Sequence, residues 1–197
     1  MRIFEQTLQI GDQLDRRFAQ LRGTMETSKR RSLVELARVL DAAGVPYALI
    51  GGVAVQIWSA EPRTTLDIDI AVASYAVLPR DALRAAGFVY GGRFEHSENW
   101  TGPDGAPVQF SDDPAFGGAV ARAVPHAIGD YSGGLRVASV TDLVRAKLRA
   151  ARDPARRRSE RLMDIADAVG LTEQHRASLA ELSADELRQL GDAAPPA

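Results

Sequence analysis

Apolar and polar positions along the chain follow two different periods. Leu33, Leu36, Ala37 and Leu40 recur at helical spacing, and Gly44 with Pro46 ends that helix. Its start falls at Thr27, at Ser28 or at the capping-box pattern Ser32-Leu-Val-Glu35. Tyr47–Ile50 is a short continuous apolar run, the mark of a buried strand. Gly51-Gly52 then reads as a tight turn, Val53–Trp58 as a helix and Glu61–Thr65 as a loop containing Pro62. From Leu66 to Val72 the period changes to two. Leu66, Ile68, Ile70 and Val72 share one face of a strand, while Asp67, Asp69 and Ala71 share the other.

Further on, Pro79 opens a helix that ends near Gly87. Phe88–Tyr90, Phe94–Trp100 and Ala106–Phe110 are predicted strands, the last two joined through the turn Gly102-Pro-Asp-Gly105. Ala115–Ala123 reads as a helix and Leu135–Ala138 as a short strand. Thr141 is placed to N-cap a helix over Asp142–Arg152, which Asp153-Pro154 breaks. Ser159–Gly170 is a further helix with the apolar stripe Leu162, Ile165, Ala166 and Val169. Glu173–Leu190 gives one or two more, and the N-terminal stretch 1–22 also has near-helical spacing. The order predicts an α+β fold, a mixed sheet flanked by helices. Its expected parts are an N-terminal helical extension over 1–32, a core over 33–139 and a helical C-terminal region over 140–197.

Composition narrows the chemistry. With 45% hydrophobic and 25% charged residues in 197, the chain is long enough to bury its own core. It has no cysteine, which excludes disulfide scaffolds, thiolate zinc sites and thiol catalysis. No apolar run approaches the ~20 residues of a membrane span. The first residues lack the basic-then-apolar order of a signal peptide, so no membrane contact and a cytoplasmic location are expected. The net charge of −2 hides an asymmetry. Residues 145–161 carry eight basic and two acidic side chains, a strip of +6 against −8 elsewhere. Such a strip suits a phosphate-rich partner, and it suits equally a solvated helix face. Basic residues are 22 Arg and only two Lys, Lys29 and Lys147.

Asp67 and Asp69 are the most informative pair. Residues i and i+2 of a strand project the same way, roughly 6.5–7 Å apart. Two carboxylates so placed can converge on Mg²⁺, which takes carboxylate, water and phosphate oxygens. Two ions about 3.5–4 Å apart can act on the attacking and leaving oxygens of one displacement. Alone, the pair also fits the outward face of an ordinary half-exposed strand. The preceding segment adds specificity: a buried strand runs into Gly51-Gly52 and then a helix. Glycines there let backbone approach a phosphate, and a helix N-terminus offers it free N–H groups.

Tyr47-Ala-Leu-Ile-Gly-Gly-Val-Ala-Val55 followed by Arg63-Thr-Thr-Leu-Asp-Ile-Asp-Ile70 resembles the signature of the polymerase-β-type nucleotidyltransferase superfamily. More narrowly it resembles the AbiEii/AbiGii-like group of bacterial toxin nucleotidyltransferases. The likeness spans about Leu33 to Leu171 and continues in Val140-Thr-Asp-Leu-Val-Arg-Ala-Lys147 and Asp164-Ile-Ala-Asp167. The resemblance implies a nucleotidyltransferase-like mixed sheet and transfer of a nucleotide from an NTP with Mg²⁺, two ions being compatible. It implies Asp67 and Asp69 as metal ligands, and Gly51, Gly52, Arg63 and Thr65 as nucleotide-binding residues. It implies Lys147 and Asp164 as further catalytic residues. In characterised relatives the acceptor can be tRNA, and the toxin is usually encoded beside an antitoxin.

The sequence departs from that pattern at two places. Gln109 stands where superfamily members often carry a third carboxylate, which Asp112, Asp113 or Asp164 would have to replace. Gly52 stands where many have Ser. A chain without the third carboxylate also fits a nucleotide- or RNA-binding module of little catalytic power. A nucleotidyltransferase acting on a small molecule or protein is the third reading. Lys147 falls among Leu143, Val144, Leu148 and Ala151 on the inward side of its helix. Its amine either neutralises triphosphate charge or snorkels to water. Asp164 lies off the apolar stripe of its helix, so periodicity alone turns it to solvent. Asp167 is either a helper or a surface charge. Lys29 has no role in view. His96, His126 and His175 show no metal-ligand spacing.

Overall fold

In a computed structural model, residues 10–11, 13–14, 29–59 and 65–193 are described, and they fall into two compact units divided between Ala138 and Ser139. Most of the predicted N-terminal helix lies outside the described residues. Ile10, Gly11, Gln13 and Leu14 are helical.

In the first unit, helix α1 (Arg30–Ala42) buries Leu33, Leu36, Ala37 and Leu40, the predicted stripe. Neither Thr27 nor Ser28 caps it. Lys29 holds the N-cap position, and the cap comes from far along the chain: the Ser32 N–H donates to Asp104 Oδ2 at 3.1 Å, and the Ser32 hydroxyl also donates to that carboxylate. Strand β1 (Tyr47–Ile50) is buried at every position and leads straight into helix α2 (Gly51–Trp58), so the two glycines open a helix and form no separate turn. Strand β2 (Ile68–Val72) follows, shorter than its alternation suggested. Leu66 lies before it and is 54% exposed, so the apolar face starts at Ile68.

Helix α3 (Arg80–Ala85), strands β3 (Val89–Arg93), β4 (Glu98–Thr101) and β5 (Pro107–Ser111), and the short helix α4 (Gly117–Ala121) come next. The predicted strand Phe94–Trp100 begins only at Glu98, because Phe94–Ser97 makes the turn that joins β3 to β4. The unit closes with β6 (Val124–Ile128) and β7 (Tyr131–Val137). The sheet order is β3-β4-β5-β2-β1-β7-β6, with β2–β5 and β1–β7 parallel and the other pairs antiparallel. Strand β6 was not legible because Pro125 interrupts it, and proline is tolerated in an edge strand. Gly129-Asp130, with Gly129 at φ +53°, joins β6 to β7 as a two-residue hairpin turn, a signal the sequence did carry.

Buried ion pairing ties the far edge together. Glu98 is 1% exposed and accepts from Arg80 Nε at 3.1 Å, Arg80 Nη2 at 2.6 Å and Trp100 Nε1 at 3.1 Å. Its carboxylate is thereby hydrogen-bonded as a buried charge requires.

The second unit is helical: α5 (Val140–Arg152), α6 (Arg158–Gln174) and α7 (Ala184–Ala193). Ser139, not Thr141, caps α5. Its hydroxyl accepts the Asp142 N–H at 3.2 Å and donates to Asp142 Oδ2 at 2.7 Å, while Thr141 is buried. Helices α5 and α6 pack together through Leu143, Val144, Leu148 and Ala151 on one side and Ala168 and Leu171 on the other. The stripe read for α6 is therefore wrong. Leu162 is 55% exposed and Ala166 is exposed, whereas Asp164 is 4% exposed. Charge takes the inward position because charge on α5 meets it there. Among the described residues no helix is long and apolar enough to cross a membrane.

Candidate functional site

The first unit brings five of the sequence-predicted site residues together at the junction of β1, α2 and β2. Register places Ile50 opposite Asp69, so Asp69 lies beside the point where β1 becomes α2. Gly51 has φ +67°, a left-handed conformation open to glycine and strained for other residues. A Cβ there would also lie 2.7 Å from the Asp69 carboxyl carbon. Both facts require glycine: the Asp69 carboxylate rests directly over the Gly51 backbone at a helix N-terminus. A negative group is favoured there by the partial positive charge of the first N–H groups. The N-cap residue of α2, Ile50, supplies no side-chain cap to those groups.

Gly52 is equally constrained. A Cβ on it would meet the Thr65 hydroxyl, with Thr65 Cβ at 2.8 Å. The Thr65 side chain thus covers the Gly52 backbone and leaves no room for a serine there. Arg63 lies outside the described residues.

Asp67 sits just before β2 rather than within it, half-buried. Burial pushes its carboxyl above the usual range, and the nearby charge of Lys29 pulls it part of the way back. Gln109 occupies the place where a third carboxylate was sought. It lies opposite Asp69 in the β2–β5 ladder, and its Nε2 donates to Asp67 Oδ2 at 3.4 Å. Asp112 and Asp113 do not substitute for it. Asp112 accepts the Tyr75 N–H at 3.4 Å, and Asp113 caps the turn after β5 by accepting the Ala115 N–H at 2.8 Å. Among the described residues no group of three or more His, Asp or Glu is arranged to hold a metal.

The donor set nevertheless fits Mg²⁺ bound together with phosphate. It offers two carboxylates and a neutral amide, and Mg²⁺ fills its remaining positions with water and phosphate oxygens. The raised Asp67 carboxyl fits too, because a carboxylate penalised by burial gains from an adjacent cation.

The other two predicted catalytic residues meet in the second unit. Lys147 Nζ donates to Asp164 Oδ1 at 2.8 Å and lies 2.9 Å from Asp167 Oδ2. Arg156 Nε is 3.3 Å from the second Asp164 oxygen, an ion pair without hydrogen-bond geometry. The inward reading of Lys147 is right, and Asp167 is a second partner rather than a bare surface charge. Periodicity missed Asp164 because it counts apolar residues only, and here a salt bridge occupies the seam.

Comparison with solved structures follows from this geometry. Over 85% of this chain and 93% of that chain, the molecule is similar to an antigenic nucleotidyltransferase-like protein from Paracoccidioides brasiliensis, at 19% identity and TM-score 0.52. Over 85% and 91% it is similar to the antibiotic-resistance factor ANT(2'')-Ia, at 15% identity and TM-score 0.51. The fold is nucleotidyltransferase-like. No family model matches the sequence. No curated protein matches it either. Within that fold the mixed sheet expected from the sequence is present, and the Gly51-Gly52 junction and Asp69 lie on adjacent strands at its centre.

Proposed function

We propose that this protein is a Mg²⁺-dependent nucleotidyltransferase that moves a nucleotide from an NTP to an acceptor hydroxyl. The observation that carries the reading is the Asp69 carboxylate over the Gly51 backbone at the N-terminus of α2, with Asp67 beside it. Phosphate oxygens are served by backbone at Gly51 and Gly52 and by the Thr65 hydroxyl, and Arg63 adds charge from the preceding loop. Asp67 and Asp69 would hold one Mg²⁺ or two, which when bound supply charge neutralisation at the phosphates. The acceptor oxygen forms a bond to the α-phosphorus as the bond to pyrophosphate breaks. Most of the catalytic effect is positioning and charge stabilisation, as in related phosphoryl transfers. Lys147, fixed by Asp164 and Asp167, supplies a preorganised positive charge, and Asp164 is the further acid.

The likeness to AbiEii/AbiGii-like proteins supports a finer reading. In it the acceptor is tRNA or another RNA, the setting is the bacterial cytoplasm, and the chain is a toxin paired with an antitoxin protein. The basic strip at 145–161 favours an RNA acceptor. A second reading rests on Gln109: an amide cannot take the acceptor proton, so the chain would bind nucleotide or RNA and transfer little. Small-molecule or protein acceptors form the third reading.

One experiment separates them. The protein is incubated with each labelled NTP, Mg²⁺ and total tRNA, with Asp67→Ala as control. Label on tRNA that disappears in the variant supports transfer to RNA. NTP binding without transfer to any acceptor overturns the enzyme reading.

A further inference from the structure

Lys29, one of only two lysines, is 5% exposed. A buried ammonium is costly unless a negative group faces it. Hydrogen bonds and register show where it lies. Lys29 is the N-cap residue of α1, and its carbonyl accepts the Leu33 N–H at 2.9 Å. Three residues on, the Ser32 N–H is held by Asp104, which sits in the turn between β4 and β5. Gly102 of the same turn lies against Ser32, since a Cβ on Gly102 would come within 2.7 Å of Ser32 Cβ. That turn leads directly into β5, whose Val108 pairs with Ile68, the first residue of β2. Asp67 immediately precedes Ile68. The start of α1 is therefore pinned to the end of the sheet where Asp67 stands. In keeping with this placement, the Lys29 charge acts on the Asp67 carboxyl and opposes the effect of burial.

We propose that Lys29 is a positioning residue of the Asp67–Asp69 site, a fixed internal cation that makes tight binding of free divalent metal depend on an incoming nucleotide. The inference rests on the proposed function and extends it. Two carboxylates with a neutral Gln109 and one ammonium carry a net charge of −1, a weak field for a bare divalent cation. An NTP brings several negative charges of its own, so metal and triphosphate enter together. Lys29 then faces the phosphates as well as Asp67, and its charge favours the loaded state.

The test measures Mn²⁺ binding to the full chain by calorimetry, with and without ATP, for the wild type, Lys29→Met, Lys29→Arg and Asp67→Asn. Circular dichroism confirms that each variant is folded. The wild type is expected to bind Mn²⁺ weakly alone and more tightly with ATP. Lys29→Met is expected to bind Mn²⁺ alone more tightly than the wild type, on the order of tenfold, because a nearby positive charge is gone. The same variant should bind ATP more weakly. Lys29→Arg keeps the charge and should resemble the wild type, which a merely structural lysine would not predict. If Lys29→Met is folded and its affinity for Mn²⁺ alone is unchanged, the inference is overturned while the site stands. If Asp67→Asn binds Mn²⁺ and ATP as the wild type does, the proposed site itself is overturned. If Lys29→Met does not fold, Lys29→Gln carries the measurement, with the same expected direction.

Discussion

Replacing Lys147 with methionine tests whether the charged seam between α5 and α6 is a coupled unit. The Lys147 side chain is 14% exposed and that of Asp164 is 5% exposed. Removing one partner of a well-buried pair costs about 3–5 kcal/mol, because the other charge is left in a poor environment. Here each ion keeps a second partner: Asp164 retains Arg156 at 3.3 Å, and Lys147 retains Asp167 at 2.9 Å. Those contacts cut the expected loss to about 2 kcal/mol for Lys147→Met and about the same for Asp164→Asn. The double variant leaves neither charge stranded, so its loss should stay near 2 kcal/mol, a coupling of about 2 kcal/mol within the range for direct contacts. Urea unfolding of the full chain, followed by circular dichroism, gives the three free energies. Additive losses, or single variants within about 0.5 kcal/mol of the wild type, would refute the reasoning, because surface pairs behave that way.

Asp104→Ala removes the long-range cap of α1 and should cost about 1–2 kcal/mol in the same urea assay, with an intact Asp104 effect in Ser32→Ala showing that the backbone N–H, not the hydroxyl, carries most of it. Asp67→Asn should abolish metal-dependent nucleotide binding, measured by calorimetry, without lowering the melting temperature, since burial penalises the Asp67 charge. Gln109→Glu restores a third carboxylate beside Asp69 and should raise metal affinity and any transfer rate; a fall in both would contradict the placement of Gln109 at the site. Burial pushes the His126 imidazole below its usual range. The folded state then binds fewer protons than the unfolded one, so stability is complete above the unfolded value, about 6.5, and falls as pH drops below it. Melting temperatures at pH 7 and pH 5 should differ less in His126→Gln than in the wild type.

The order of elements was legible because each depends on neighbours a few residues away. Leu33, Leu36 and Leu40 bury one face of α1 wherever that helix sits. The alternation at 68–72 fixes which side of β2 faces the core, and so sets Asp69 outward. Gly51-Gly52 marked the phosphate-facing junction, although only φ +67° and the Asp69 carboxylate over Gly51 show why glycine is required. Tertiary structure decided the partners. Asp104 caps a helix 72 residues away, and Gln109 reaches Asp67 across 42. Asp164 turns inward because Lys147 and Arg156 meet it there, against the apolar pattern of its own helix. Lys29 looked idle for the same reason. Periodicity describes one face of one element, whereas the environment of a charge is made by groups that only folding brings near.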